Sequence, residues 1–302
     1  MLLTPDCILC IQKASLAAIR ELTSDEAVVR EIMTDILSIP ALQGRDWTLT
    51  SPEVFEMGFR KITEAFGNPD PFRTWKDRQN QKGLGLYPQL KSVIRDSPDP
   101  LATAIKLAII GNSLDLMWSE GSVEVEPLIR DKLSNPLSAE HLTAFKEWIS
   151  RSRLILLIGD NCGEIAFDKL LIETIRERCA AEVIFAVRTV PILNDATLQD
   201  AQTVGLSEVA RVIDNGIEGP VPGTVIRRCS EEFRAAVDEA DFIVSKGGGN
   251  FDSLNEEKQI AHKLCYMLMS KCAPYKNHFN TPLYEPILFV PSPMSASYSG
   301  AH

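Results

Sequence analysis

The chain has 302 residues, a formal net charge of −10, 45% hydrophobic and 24% charged residues. That length buries a large core and suits about two domains, while the acidic balance excludes the basic stripe that nucleic-acid binding requires. No run reaches the roughly 18 apolar residues of a membrane helix, and the N-terminus lacks a signal pattern, so a cytoplasmic address without membrane attachment is expected.

The first half reads as helical. Apolar residues recur three and four apart over Ile11–Leu22, Ala27–Leu37, Pro52–Phe66 and Leu101–Ile110, which predicts a helical domain over residues 1–150. Ser51-Pro52-Glu53 and Ser97-Pro98-Asp99-Pro100 are helix entries, with proline tolerated in the first turn. The polar stretch Asn68–Tyr87 is expected to be a long connection.

After Arg153 the pattern changes. Apolar runs at Leu154–Ile158, Glu182–Val187, Val209–Ile213, Phe242–Val244 and Leu264–Met269 alternate with helical segments, including Asn194–Val204, Ser230–Glu239 and Glu256–His262. This alternation predicts an α/β fold with a mainly parallel, Rossmann-like sheet and crossover helices over residues 151–274. Residues 275–302, with Pro282, Pro286, Pro291 and Pro293, are expected to be an irregular tail.

Four segments carry candidate chemistry. Gly159-Asp160-Asn161-Cys162-Gly163-Glu164 follows the first strand, where open α/β sheets place ligands. Asp160 and Asn161 offer oxygen to a hard cation; they equally suit a helix cap, with Glu164 favoured in the first turn. Asn194 and Asp195 hold the matching place after the second strand. Neighbouring strands lie about 4.8 Å apart, so Asp160 and Asp195 could share one cation.

Lys246-Gly247-Gly248-Gly249-Asn250 follows Phe242–Val244; its glycines free the backbone to wrap an oxyanion, and Lys246 adds charge. A plain flexible turn is the alternative. Asn112 and Asp115, at the end of an apolar helix, would share a face if the helix continues.

The seven cysteines read as reduced thiols rather than a disulfide framework. Cys7-x-x-Cys10 alone is a weak metal or redox signal. None of the four histidines falls in these segments, so neither a His-rich zinc site nor a Ser-His-Asp triad has support.

Asp160-Asn161-x-Gly163-Glu164, Leu193-Asn194-Asp195-Ala196-Thr197, Lys246-Gly-x-Gly-Asn250 and Gly111-Asn112-x-x-Asp115 together resemble the damage-control phosphatase family, formerly domain of unknown function 89. Cys7-x-x-Cys10 with Gln12 is similar to its smaller microbial branch. The resemblance runs from Cys7 to about Pro274. It implies metal ligation by Asp160, Asn161 and Asp195, a substrate-phosphate loop at Lys246 and Asn250, and a cleft border at Asn112 and Asp115. Arg188 and Lys271 match positions where a basic side chain holds a phosphoryl or sugar group.

The reading is therefore a metal-dependent phosphatase of small phosphorylated metabolites, sugar phosphates or damaged derivatives. Asp160, Asp195 and Lys246 would carry catalysis, either a water or an aspartate would attack, and Glu164, Gly247, Gly248 and Gly249 would line the substrate. Oxygen ligation favours Mn or Mg, and the family resemblance adds Co or Ni. The alternative is a non-enzymatic phospho-metabolite or nucleotide sensor. Carboxyl methyl transfer is a weaker third, since no glycine-rich methyl-donor loop follows the first strand. Oligomeric state is left open.

Overall fold

The computed structural model describes residues 1–112, 129 and 133–292; Asp115 lies outside them. Helices α1 (Pro5–Leu22), α2 (Glu26–Leu37) and α3 (Ser51–Phe66) pack around Ile11, Ile19, Ile36, Phe55, Phe59 and Ile62. Their starts follow local chemistry. Pro5 occupies the first turn of α1, the Asp25 side chain accepts from the Ala27 amide at 2.8 Å, and Thr50 and Glu53 form a capping box.

Residues 73–95 are not a connection. They form one 23-residue helix, α4 (Arg73–Arg95). Its buried positions include Lys76, Gln79, Asn80 and Gly83, so the inward face is polar and no apolar period marks it. Helix α5 (Pro100–Gly111) is the opposite case, with Leu101, Ile105, Leu107, Ile109 and Ile110 all buried. Helix α6 (Ala139–Arg151) closes the helical half, with Phe145 and Trp148 packed on Phe242.

Six strands follow: β1 (Leu154–Ile158), β2 (Glu182–Val187), β3 (Arg211–Asp214), β4 (Phe242–Lys246), β5 (Leu264–Met269) and β6 (Pro286–Phe289). Their order is β3-β2-β1-β4-β5-β6; all pair in parallel except the β5–β6 pair. The α/β class with a mainly parallel sheet is thus the observed fold. Ile155 of β1 pairs with Val183 on one side and Phe242 on the other. The order of the strands reverses about β1, with β2 and β3 on one side and β4 and β5 on the other, which opens a crevice at the carboxyl ends of β1 and β4.

Side-chain alternation divides the sheet between two cores. Ile155, Leu157, Phe185, Val244 and Met267 face α4, α5, α6 and helix α7 (Glu164–Arg176). Leu156, Ile158, Ile184, Ile243 and Leu268 face helices α9 (Glu231–Glu239), α10 (Gly248–Leu254) and α11 (Ala273–Phe279). Helix α8 (Leu198–Val204) packs beside α4.

Three further expectations are corrected. The helix expected from Asn194 starts at Leu198, because Thr197 and Asp200 form its capping box. Glu256–His262 holds no α-helix; the glycine triplet begins one instead, as α10. Residues 275–292 are not irregular: they complete α11 and add β6 antiparallel to β5. Its anchors are aromatic and sparse, with the Phe279 ring 4.9 Å from Phe251 and Trp148 Nε1 donating to the Pro291 carbonyl at 2.8 Å. Two short elements leave no readable period.

Candidate functional site

The turns after β1 and β2 are joined by backbone hydrogen bonds. The Ala196 amide donates to the Asp160 carbonyl at 2.8 Å, and the Cys162 amide to the Asn194 carbonyl at 2.8 Å. Asn161 and Asp195 form an antiparallel bridge. The zipper holds Asp160, Asn161 and Asp195 side by side at the crevice, each buried.

Arg188 ties the two aspartates together. Its Nε donates to Asp195 Oδ2 at 2.6 Å and its Nη2 to Asp160 Oδ1 at 3.4 Å. Nη1 reaches Asn250 Oδ1 at 2.9 Å and Thr224 Oγ1 at 3.1 Å. Arg188 is only 2% exposed. Its hydrogen bonds run to the acidic pair, Asn250 and Thr224.

Asp160 Oδ2 accepts from Asn112 Nδ2 at 2.8 Å and Asn161 Nδ2 at 2.7 Å. The same two amides donate to Glu164 Oε2, at 3.0 and 2.8 Å. Asn250 spans the split in the sheet, donating to the carbonyls of Gly159 and Lys246 at 3.0 and 2.8 Å.

Lys246 does not face the open cleft. Its Nζ donates to Glu164 Oε1 at 2.7 Å, to the Ala108 carbonyl at 2.9 Å and to Asp168 Oδ1. All three ammonium donors are thereby used. The period of two along β4 explains the direction, since Lys246 shares the face of Val244, toward α5 and α7. The first glycine of the triplet is likewise packed. Gly247 has φ 78, and a Cβ there would lie 1.9 Å from Asp160 Oδ2; only glycine allows strand and carboxylate to approach so closely. Gly248 and Gly249 open α10 and line the cleft, where first-turn amides have no partner within their helix.

Charge in this cluster is unbalanced: Asp160, Glu164, Asp168 and Asp195 meet two buried cations, Arg188 and Lys246. Burial, then the carboxylates of Asp195 and Glu164, raise the Asp160 pKa well above the usual range, against Arg188 and Lys271. Burial pushes Asp168 up to about 7 despite Lys246, with Glu164 adding to the rise. Among the described residues, Asn112 Oδ1 and Asp168 Oδ2 are buried without a hydrogen-bond partner. Among the described residues, no group of three or more His, Cys, Asp or Glu side chains is arranged to hold a metal. The set expected from sequence has two aspartates, and its third oxygen is an amide.

A cleft of about 320 Å³ opens beside the cluster. Asp160, Asn161, Asp195, Gly248, Gly249 and the exposed Lys271 form one end, while Cys7, Cys10 and Cys272 line it elsewhere.

Behind the two turns lies a second polar cluster that sequence reasoning missed. Asn80 Oδ1 accepts from the Gly163 amide at 2.9 Å, and Asn80 Nδ2 donates to Asp200 Oδ1 at 2.8 Å. Asp200 Oδ2 accepts from the Thr197 amide and hydroxyl at 2.9 and 2.7 Å, with Lys76 Nζ 3.6 Å away. Arg73 pairs with Asp200 as well. The Thr197-x-x-Asp200 spacing was the available signal. Asp168 was also missed, although it stands four residues after Glu164 on one helix face.

The family model of the damage-control phosphatase ARMT1-like domain matches residues 3–287. The chain belongs to that family. A damage-control phosphatase of Pyrococcus horikoshii is 32% identical over 224 residues, covering 74% of this chain and 76% of that protein. A damage-control phosphatase of Archaeoglobus fulgidus is 29% identical over 279 residues, covering 91% and 94%. The crystal structure of a DUF89 family protein from P. horikoshii superposes with a TM-score of 0.82 at 28% identity, covering 96% of this chain and 99% of that one. The ARMT1-like match thus spans both the helical half and the sheet. Among the described residues, no helix is long and apolar enough to cross a membrane.

Proposed function

We propose that this ARMT1-like protein is a metal-dependent phosphomonoesterase acting on small phosphorylated metabolites, sugar phosphates or their damaged derivatives. Two curated relatives named damage-control phosphatase support the hydrolase class. The observation that carries the reading is Asp160, buried between Asp195 and Glu164 and held far above its ordinary pKa. A carboxylate so placed favours a bound cation.

The donor chemistry fits a hard divalent ion, Mn or Mg first, with Co or Ni as alternatives. Asp160, Asn161 and Asp195 would hold it. Such an ion supplies Lewis-acid polarisation of a phosphoryl oxygen. The chain's own groups then do the positioning. Asn112 and Asn161 fix the Asp160 carboxylate, and Arg188 keeps Asp160 and Asp195 aimed at one point. Lys246 fixes Glu164 from behind. The first-turn amides of Gly248 and Gly249 are placed to meet phosphoryl oxygens, and Lys271 draws the anion in.

The net charge of −10 supports a small-molecule partner and no nucleic acid, in a cytoplasmic setting without a membrane. Cys7-x-x-Cys10 and Gln12 support the smaller microbial branch. The test is phosphate release from a panel of phosphorylated metabolites, with Mn, Mg, Co or Ni added and after chelation. Release that needs a divalent ion is expected. No release from any ester with any metal would reject the reading in favour of a phospho-metabolite sensor.

A further inference from the structure

Asp252 is a buried carboxylate in the cleft wall that the proposed reaction leaves unused. It lies in α10 four residues after Gly248, lines the cleft together with Asp160, Asp195 and Lys271, and is 5% exposed. The Ser51 hydroxyl donates to its Oδ2, the Tyr275 hydroxyl stands beside it, and the Met1 amine donates to the Asp252 main-chain carbonyl. Oδ1 is different. Among the described residues it is buried without a hydrogen-bond partner, a state that buried carboxylate oxygens rarely keep. The other carboxylate of that wall, Asp6, is exposed and met by solvent.

Asp252 and Tyr275 adjoin the acidic site. A Cβ on Gly247 would meet the Asp160 carboxylate, and one on the next residue, Gly248, would meet the Tyr275 hydroxyl; consecutive Cα atoms are only about 3.8 Å apart. Helical side chains tilt toward the helix start, so Asp252 leans back toward Gly248. Burial raises its pKa to about 6, which leaves it ionised at neutral pH, able to accept a hydrogen bond and not to donate one.

We infer that Asp252 recognises the alcohol part of the substrate: its Oδ1 accepts a hydrogen bond from a hydroxyl on a carbon near the ester oxygen, which selects phosphate esters of polyols and sugars over those of plain alkyl alcohols. The inference rests on the phosphatase reading and assigns its substrate preference to one side chain. With the phosphoryl group at Asp160 and Asp195, the first carbons of the alcohol pass Gly248 and Tyr275 toward Asp252. A hydrogen bond to a charged acceptor contributes about ten- to 100-fold in affinity. An alkyl ester forgoes that bond and leaves Oδ1 bare.

The test compares glycerol phosphate with propyl phosphate on the full chain with Mn. Wild type should favour the glycerol ester in kcat/KM by about tenfold or more. Asp252→Asn keeps the volume and an acceptor for Ser51, and its ratio should fall about tenfold, since a charge-assisted bond becomes a neutral one. A purely structural role would lower both esters alike. That unchanged ratio would overturn the inference, and so would a wild type without preference. Tyr275→Phe keeps its ring 5.4 Å from Phe251 and should lower the same ratio about threefold, because the hydroxyl beside Asp252 is gone. Should Asp252→Asn fail to fold, an unchanged ratio in Tyr275→Phe overturns the inference instead.

Binding of 2,3-dihydroxypropylphosphonate against propylphosphonate, read by calorimetry with Mn, separates this inference from the reading beneath it. Tighter, Asp252-dependent binding of the dihydroxy compound without release from any ester would reject the phosphatase and keep the subsite. Equal affinities would overturn the subsite whatever the turnover.

Discussion

Two buried carboxylate networks grip the same pair of turns from opposite sides, and they differ in how their charge is met. Around Asp200 the accounts close: Arg73, Lys76, Asn80 and both donors of Thr197 converge on one carboxylate. Burial opposes its ionised form, yet the Arg73 hydrogen bond, the Lys76 charge and Thr197 hold its pKa below the ordinary range. Around Asp160 negative charge remains in excess, and the pKa moves the other way. The neighbours of Asp200 keep it ionised, while those of Asp160 push it toward protonation, a strain that the proposed cation would relieve.

Removing Asp160 tests that contrast most severely. Asp160→Ala should lose about 10³-fold in phosphate release, the scale of deleting a key electrostatic group. Its stability to urea should stay level or rise, because a buried repulsion with Asp195 and Glu164 disappears. Retained turnover would sink the assignment of the site. A large stability loss would erase the distinction between the networks.

Lys246 comes next, and separates a support from a substrate ligand. Lys246→Met should destabilise by about 3 kcal/mol, since Glu164 and Asp168 lose their buried cation. Protonation of Asp168, whose pKa burial already raises, limits the damage, so the deficit should widen as pH rises. Denaturant titrations across pH read this. Unchanged stability together with weaker inhibition by inorganic phosphate would instead return Lys246 to the substrate side.

The part of the site legible in sequence was the part written as apolar runs ending in acids. Leu154–Ile158 and Val183–Val187 read as buried parallel strands, and the bridge between the turns that follow them makes Asp160 and Asp195 neighbours. Helix α4 was illegible because its inward face carries Lys76, Asn80 and Gly83, chosen for contact with polar turns. A Cβ on Gly83 would sit 2.5 Å from the Gly163 carbonyl, so that glycine records close packing and not a loop. Gly247 of the triplet is a second such glycine. Gly247 makes room for Asp160, which composition alone cannot distinguish from an anion cradle. Lys246 was readable in principle, because counting by twos from Val244 places it behind the site.

The smallest expected effect is also the most specific to the supporting network. Asp200→Asn keeps the shape and an acceptor oxygen but removes the charge facing Arg73 and Lys76. Because Asn80 stays to hold the Gly163 amide, the cost should be about 2 kcal/mol at neutral pH, below that of an unpaired buried cation. The pH dependence follows from the direction of the shift. A carboxyl whose folded pKa lies below its unfolded value contributes stability in full above about pH 4 and loses it as pH falls toward the folded pKa. Wild type should therefore shed this contribution on acidification, and Asp200→Asn should not, so the two unfolding curves converge at low pH. Metal affinity supplies the complementary readout. If Asp200 orients Asp195 through Thr197, Mn binding should weaken by several-fold at neutral pH, where the variant is still folded. Parallel acid limbs in the two proteins would show that Asp200 is not the titrating anchor of these turns.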